Sequence, residues 1–235
     1  MEFHPRIDPN KPQLNESRII LGSFPTYPYT FKSQEEKENA VIAEAQQAAF
    51  FYGSERNQFW HWYRDHVDLQ SDKSSVETLV KSLKKHRIAI TDAIYACNRK
   101  GHSASDQHLT QRTYNHAFFK KPAKGEVLKI LCTSKGVMND MLLTDAFFRL
   151  HPDLSIDQAA SEERERALIG HLNGNLVHKP VFRVLRVTNG GMIECAALPS
   201  PGSPFRSLKT FGFISGNAGD YLKNYLEQTF KWFLE

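Results

Sequence analysis

The chain contains little cysteine: 235 residues include only Cys97, Cys132 and Cys195, and no Cys-x-x-Cys pair occurs. Without paired thiols, the sequence does not match the usual zinc and iron–sulfur frameworks. Each cysteine lies within an apolar stretch that is typical of a strand, so we expect three buried, reduced thiols. Reduced thiols are characteristic of a reducing compartment, and we therefore expect an intracellular protein.

Other patterns are also missing. No apolar run reaches the length of a membrane span, and residues 1–5 lack the apolar core of a secretory signal. No Gly-x-Ser-x-Gly elbow occurs, and no Gly-x-Gly-x-x-Gly follows the first apolar stretch. The spacing of His61 and His66 differs from the i, i+4 pair with which a helix holds zinc. These absences disfavour a membrane partner, serine-hydrolase chemistry, a nucleotide cofactor and a metal site.

The charge of the chain is only mildly basic, since 30 Lys and Arg residues against 26 Asp and Glu residues leave a net charge of +4. Such an excess suits a polyanionic partner such as DNA, but many unrelated soluble enzymes share it. The charge by itself therefore selects no function.

Apolar stretches and helix-capping signals alternate along the chain. The apolar stretches predict strands at 18–23, 88–96, 127–132, 181–187 and 192–198. Capping signals and helical spacing predict helices at 33–49, from about 57, at 74–85, after 136, from about 155 and at the C-terminus. This alternation predicts an α/β fold, a three-layer α/β/α sandwich with a mostly parallel central sheet and one antiparallel hairpin at Asn189-Gly190-Gly191. We expect a single domain over 1–235 that begins with an irregular arm at 1–17.

Two loops follow strands that are predicted to be buried. The first loop (22–25) is Gly22-Ser23-Phe24-Pro25, and the closing loop (198–206) contains Leu198-Pro199-Ser200 and Ser203-Pro204. Ligands of open α/β sheets bind where parallel strands end. Glycine permits a close approach between backbone and ligand, and small hydroxyl groups with free amides suit a phosphate oxygen. We therefore predict that the two loops share one site.

An aromatic stretch at 51–60 precedes the second predicted helix. It places Tyr52, Phe59 and Trp60 around Arg56-Asn57, beside a glycine turn. Such an arrangement is able to set a ring against a flat base while an amide reaches a sugar or a water. The structural alternative is a helix N-terminus with core aromatic residues and a salt-bridged Arg56. Composition alone leaves both interpretations open.

Two shorter signals also have a functional and a structural interpretation. Asp92 follows a predicted strand, where it either orients a water or a ligand amide or caps a neighbouring helix. Ser134-Lys135-Gly136 begins a predicted helix, where its amides either hold a phosphate or form an ordinary cap.

In this order, the motifs resemble the uracil-DNA glycosylase superfamily, and within it the branch of hypoxanthine (deoxyinosine) DNA glycosylases. The first loop with Leu21 resembles the first motif of that branch, and Tyr52 with 56–60 resembles its aromatic-Arg-Asn-x-Phe-Trp signature. The next conserved block of that branch is similar to residues 90–94, Cys97, Arg99, Gly101 and Ser103. Its two remaining motifs are similar to Ser134-Lys135 and to the closing loop. The resemblance runs from about residue 18 to the C-terminal helix. Three departures accompany it: a helical insertion at 26–50, a longer closing loop and Ser134 in place of glycine.

The resemblance implies a monofunctional glycosylase of base excision repair, without a cofactor, whose partner is DNA that contains a damaged base. Such an enzyme flips a deaminated base, uracil or hypoxanthine, out of the duplex. The implied base pocket contains Gly22, Phe24, Tyr52 and Phe59. The residues implied to contact DNA phosphates or to enter the base stack are Ser23, Pro25, Ser134, Lys135, Ser200, Ser203, Phe205 and Arg206.

The chemistry implied by the resemblance is hydrolysis of an N-glycosidic bond through an oxocarbenium-like state. The cationic sugar needs a positioned water, and an amide orients a water without acting as a strong base. Asn57, at the asparagine of the signature, is therefore the first catalytic candidate, and Asp92 is the second.

Two other hypotheses remain at this stage. In one, the chain keeps the fold but has lost the chemistry and binds nucleic acid, as the altered loops suggest. In the other, it is a hydrolase or transferase that acts on free nucleosides. Alkaline cleavage of uracil- and inosine-containing oligonucleotides at abasic sites separates the glycosylase from both alternatives.

Overall fold

The computed structural model describes residues 1–7, 13–25, 30–33, 51–52, 57–71, 75–101, 105–169, 180–213 and 215–235. Within these residues the chain forms two sheets, and helices flank the larger one. Most of the predicted insertion at 26–50, including its helix, lies outside the described residues, as do Arg56 and Ser103.

The strands form two sheets. In chain order they are β1 (Glu2–Phe3), β2 (Arg18–Gly22), β3 (Ile88–Asp92), β4 (Ile94–Arg99), β5 (Leu109–Tyr114), β6 (Val127–Cys132), β7 (Leu154–Ile156), β8 (Phe182–Val187) and β9 (Met192–Ala197). The larger sheet has six strands in the order β3-β2-β6-β9-β8-β7, and the smaller sheet has three in the order β1-β4-β5.

The larger sheet is mostly parallel. Its neighbouring strands β3, β2, β6 and β9 run parallel, whereas β8 and β7 continue the sheet in antiparallel orientation. Strand β2 is buried on both faces, since Ile19, Ile20 and Leu21 are all fully buried. Continuous apolar runs of this kind are typical of parallel strands that helices cover on both faces. The structure therefore confirms an α/β fold with a mostly parallel sheet and confirms the antiparallel hairpin of β8 and β9.

Helices flank this sheet. They are α1 (Phe59–His66), α2 (Val76–Lys85), α3 (Asp145–Leu150), α4 (Gln158–Ile169), α5 (Pro204–Ser207) and α6 (Ala218–Leu234), with a π-helix at Val137–Leu142 and 3₁₀ turns at Asp106–His108 and Leu208–Phe211. The apolar face predicted for the C-terminal helix is buried in α6, at Leu222, Tyr225, Leu226, Phe230 and Phe233. In the parts of the chain that the structure describes, no helix combines the length and the apolar character needed to cross a bilayer.

The stretch 88–96 differs from its prediction, because it forms two strands instead of one. Strand β3 lies in the larger sheet and β4 in the smaller one. The chain turns at Ala93, whose N–H donates to Gly22 O (2.8 Å) and whose carbonyl accepts from Asn115 N–H (2.8 Å). Because both backbone groups of Ala93 are paired within the protein, the turn needs no polar side chain at this position. The apolar pattern therefore continues across the turn, and the sequence does not reveal it.

Two other predicted boundaries also differ. The arm at 1–17 is not irregular throughout, since Glu2–Phe3 pairs antiparallel with β4. The helix predicted from about 155 begins at Gln158, after an edge strand at Leu154–Ile156. Asp157 decides this second boundary, because its Oδ1 accepts from Ala160 N–H (3.0 Å) and so caps the helix two residues later than predicted.

Candidate functional site

The carboxyl ends of the four parallel strands lie side by side at one edge of the larger sheet. Gly22 at the end of β2 is paired in register with Asp92 at the end of β3. After β9, the Leu198 N–H donates to Cys132 O at the end of β6 (2.8 Å). Because parallel strands end on the same side, the first loop and the closing loop leave the sheet at the same edge.

Asp92 is almost completely buried at this edge, with 2 % of its surface exposed. Its Oδ1 accepts a hydrogen bond from the Tyr52 hydroxyl, and its Oδ2 is bonded to His4 Nε2, both at 2.9 Å. A buried acceptor without such partners costs about 1–3 kcal/mol, and more if it is charged. Since the group is buried and both oxygens have protein partners, Asp92 is better suited to hold other side chains in place than to meet a ligand.

Tyr52 lies across the strand ends, directly on Gly22. A Cβ atom at position 22 would overlap the phenol oxygen and Oδ1 of Asp92, so only glycine fits beneath this side chain. Tyr52 itself has a left-handed backbone (φ +58°), which costs a non-glycine residue about 1–2 kcal/mol. Burial, followed by the nearby charge of Asp92, raises the pKa of the phenol well above its ordinary value. The hydroxyl group therefore remains protonated and donates to Asp92.

The two phenylalanines of the predicted base pocket are core residues. Phe59 is fully buried and meets the Tyr52 ring edge-on, with 5.0 Å between the centroids. Phe24 is 8 % exposed and packs between the His4 ring (5.9 Å) and the Arg99 guanidinium (5.7 Å). Of the three aromatic residues predicted to face a base, Tyr52 is the one that keeps partial exposure.

Asn57 lies immediately before α1 and beside the closing loop. Its Oδ1 accepts from Phe59 N–H (2.9 Å), so the side chain caps the first turn of the helix. The next residue, Gln58, donates its N–H to Pro201 O (3.1 Å), which ties the aromatic signature to the closing loop. The helix therefore holds the Asn57 amide in one orientation, and its nitrogen has no partner among the residues that the structure describes.

Asp106 is a site residue that the motifs did not predict. It begins the 3₁₀ turn that precedes β5, and its carboxyl group lies near Ser23 of the first loop. Burial raises the pKa of this carboxyl group, although the nearby Ser23 hydroxyl and Arg112 guanidinium oppose that shift. The predicted phosphate contact of Ser23 thus competes with an internal negative group. The sequence showed only a polar loop at 98–106, in which no single residue was distinguished.

Arg99 holds the end of the first loop. Its Nη2 donates to Pro25 O (2.6 Å), and its Nε forms an ion pair with Glu2 (3.1 Å). Glu2 also accepts from the Thr30 hydroxyl (2.9 Å). The side chains of this pair are 1 % and 9 % exposed, so the loop is anchored by a buried charge network rather than by surface contacts.

At Ser134-Lys135 the side chains are engaged within the protein. The Ser134 hydroxyl accepts from Val137 N–H (3.1 Å), which is the ordinary cap considered above. The Lys135 ammonium group donates to Thr210 O and lies over the Phe211 ring, 4.9 Å from its centroid. Its charge is therefore directed toward the 3₁₀ turn that follows α5, and a phosphate contact at Lys135 stays a prediction.

The closing loop begins buried, at Leu198, Pro199 and Pro201, and becomes exposed in its second half. Ser200 is partly buried, whereas Ser203, Phe205 and Arg206 are exposed. The Ser203 N–H donates to Ser200 O (3.0 Å), which closes the turn that leads into α5. Phe205 is 59 % exposed, so its ring is accessible at the surface beside Arg206.

Within the described stretches, no three His, Cys, Asp or Glu side chains are grouped so that they could hold a metal ion. Comparison of the chain with protein-family models, with curated proteins and with solved structures found no match.

Proposed function

We propose that this protein is a DNA glycosylase that hydrolyses the N-glycosidic bond of a deaminated base, uracil or hypoxanthine, extruded from DNA. The observation that supports this proposal most is a series of contacts along one sheet edge. Gly22 lies under Tyr52, whose ring meets Phe59. Of the two residues before Phe59, Asn57 is bonded to the start of α1 and Gln58 to Pro201 of the closing loop. The glycosylase hypothesis requires these distant motifs to adjoin, and contacts join them.

Hydrolysis breaks the bond between C1′ of the sugar and the base nitrogen, and the base leaves with the electron pair. A water oxygen then bonds to C1′ and loses a proton, which neutralises the departing base. Asn57 is assigned to this water: Oδ1 retains a second lone pair beside the Phe59 N–H, and the amide nitrogen has two donors. Because α1 holds the amide, little orientational freedom is lost when the water binds.

Negative charge near the first loop suits a sugar that becomes cationic. Fixed charges of opposite sign stabilise such a state most when they are arranged in advance. Asp106, which lies near Ser23, is therefore assigned to the sugar side of the site, where a phosphate would be repelled. Asp92 is assigned to holding Tyr52 instead of activating the water, because it is 2 % exposed and its two oxygens face Tyr52 and His4.

The closing loop is assigned to the DNA backbone and to the gap that the extruded base leaves. Ser203 and Arg206 are exposed and able to meet phosphates. Phe205 is exposed and apolar, as a side chain that fills a gap in the base stack has to be.

Single-turnover excision by Asn57→Ala tests the proposal, with uracil- and inosine-containing oligonucleotides and alkaline cleavage of the abasic product. We expect excision to fall about 100-fold while DNA affinity stays within about twofold, because one positioned group at the reacting centre is lost. Alanine also removes a helix cap, at a cost of about 1 kcal/mol. Asn57→Ser is the matched control, because its hydroxyl keeps a capping oxygen but lacks the amide.

The outcomes separate the parts of the proposal. Excision at the wild-type rate by Asn57→Ala would remove Asn57 from the mechanism. Full activity of Asn57→Ser would attribute the effect of alanine to the cap. A wild-type protein that forms no abasic site in any of these substrates would contradict glycosylase activity itself.

A second candidate function is binding of damaged nucleic acid without hydrolysis. The contact of Tyr52 with Gly22 and Asp92 favours it, since a side chain of the protein occupies space beside the first loop. Salt-sensitive binding without abasic sites would support this candidate. Release of the base from free nucleosides, but not from oligonucleotides, would support the nucleoside hydrolase instead.

A further inference from the structure

Strand β1 and the residue after it reach the site through two buried side chains. His4 is 1 % exposed and binds Asp92, whereas Glu2 is 7 % exposed and binds Arg99. Neither residue belongs to a motif of the sequence. From one short segment, His4 therefore contacts Asp92, which holds Tyr52, and Glu2 contacts Arg99, which holds the first loop.

The hydrogen bonds of His4 determine where its proton lies. Its Nδ1 accepts from the backbone N–H groups of Arg6 (3.0 Å) and Ile7 (3.1 Å), so this nitrogen carries no proton. The ring is neutral, with its proton on Nε2, and it donates that proton to Oδ2 of Asp92 (2.9 Å). Because Oδ1 of Asp92 accepts from Tyr52, the direction of each bond in this series is determined.

The packing of the His4 ring involves the same part of the site. Its centroid lies 5.9 Å from that of Phe24 in the first loop and 5.3 Å from that of Phe51, which precedes Tyr52. Tyr52 has a left-handed backbone, and a residue keeps such a conformation only when its surroundings hold it there. His4 therefore supports Tyr52 both through Asp92 and through the neighbouring ring.

We propose that His4 is a positioning residue of the site, which acts through Asp92 to hold the Tyr52 hydroxyl on Gly22. On the proposed function, this contact sets the depth at which an extruded base comes to rest. Without the Nε2 donor, Oδ2 of Asp92 becomes a buried acceptor with no partner, so the carboxylate turns and the phenol moves with it. Glu2 has the corresponding role for the first loop, because it orients the Arg99 guanidinium that binds Pro25 O.

Two substitutions of His4 separate positioning from general stability. The oxygen of His4→Asn lies near the place of Nδ1 and still accepts from the N–H groups of Arg6 and Ile7, but no donor reaches Asp92. The longer amide of His4→Gln does reach Asp92. We expect His4→Asn to lower single-turnover excision about 10- to 100-fold with DNA affinity within about twofold, because the reacting geometry shifts by a fraction of an ångström. We expect His4→Gln to restore most of the rate.

Hydrogen exchange of the DNA-free protein gives a second measurement that needs no activity. The Ala93 and Ile94 amides donate to Gly22 O and Ser23 O, so they report on the edge that Asp92 occupies. We expect faster exchange of these two amides in His4→Asn than in wild type or His4→Gln, with unchanged exchange in α6.

Each result bears on a different claim. Equal excision by His4→Asn and wild type, or equal exchange at Ala93 and Ile94, would overturn the positioning role. Equal losses in both variants, together with faster exchange in α6, would show that His4 supports the fold as a whole. If the wild-type protein excises no base, glycosylase activity fails, while the exchange measurement still decides whether His4 positions the site.

Discussion

The two loops at the carboxyl edge of the sheet differ in how they are held. In the first loop, Phe24 is 8 % exposed, and Pro25 O accepts a hydrogen bond from the buried Arg99 guanidinium. In the closing loop, Phe205 is 59 % exposed. A loop whose groups are paired internally keeps one shape, whereas exposed apolar and cationic side chains are available to a partner. On the proposed function, the first loop shapes the site and the closing loop contacts the DNA.

The largest difference should come from truncating a phenylalanine that supports the buried side of the site, Phe59 in α1, and one in the closing loop, Phe205. Phe59→Ala removes a fully buried ring behind Tyr52 and should lower the free energy of unfolding by about 3–5 kcal/mol. Phe205→Ala should change it by less than about 0.5 kcal/mol but weaken DNA binding about tenfold, because a stacking side chain is lost. Denaturant unfolding and fluorescence anisotropy measure the two effects. A large loss of stability in Phe205→Ala would contradict the contact role of the closing loop.

Replacing one glycine of each loop by alanine should give a smaller difference in the free energy of unfolding. Gly22→Ala places a Cβ against the Tyr52 hydroxyl and Asp92, so we expect a loss of about 1–3 kcal/mol and a marked loss of excision. Gly202→Ala is the matched control, because an added Cβ there has no neighbour within 4 Å in the described part of the chain. We expect its unfolding free energy to stay within about 0.5 kcal/mol of wild type. Tolerance of alanine at both positions would mean that Tyr52 does not rest on Gly22 in solution.

The smallest expected effect concerns the charge beside the first loop. Burial raises the pKa of Asp106, so the folded protein binds this proton more tightly than the unfolded chain does. As the pH rises from 3.8, the ordinary pKa of an aspartate, to the raised pKa in the folded protein, the contribution of this group to the free energy of unfolding falls. We therefore expect Asp106→Asn to raise the melting temperature at pH 7 and to change it little at pH 4.

An exposed carboxylate provides the control for this charge effect. Glu163→Gln removes the same charge at an exposed position of α4 and should leave the melting temperature nearly unchanged at both pH values. A lower melting temperature of Asp106→Asn at pH 7 would show that Arg99 and Arg112 stabilise the carboxylate more than burial destabilises it.

Local patterns in the sequence predicted much of the fold. The apolar stretches gave the positions of β2, β6, β8 and β9, and the Asn-Gly-Gly turn gave the hairpin. The turn at Ala93 escaped prediction, because its polar groups are satisfied by Gly22 and Asn115, which are distant in the sequence. Strand β1 escaped for a similar reason, since two residues are too few to show a period of two and their partner strand is remote.

The candidate site was predictable only where a motif placed its residues. Gly22, Tyr52, Asn57 and Asp92 were selected from the sequence, and contacts at one sheet edge connect them. His4 was not selected, because nothing near it in the sequence marks it as a partner of Asp92. Asp106 was not selected either, because burial and charges on other elements of the fold determine its pKa, and neither is visible in the sequence around it.

The sequence by itself determined the α/β class, the positions of strands such as β2 and β6 and the capping of helices such as α2, because these depend on neighbours a few residues apart. Only the tertiary structure decided that His4, Tyr52 and Gly22 meet at Asp92 and that Pro201 reaches the start of α1. Hydrogen bonds, burial and charge act through space. A residue that completes a site from a distant part of the chain therefore leaves no periodic trace in the sequence around it.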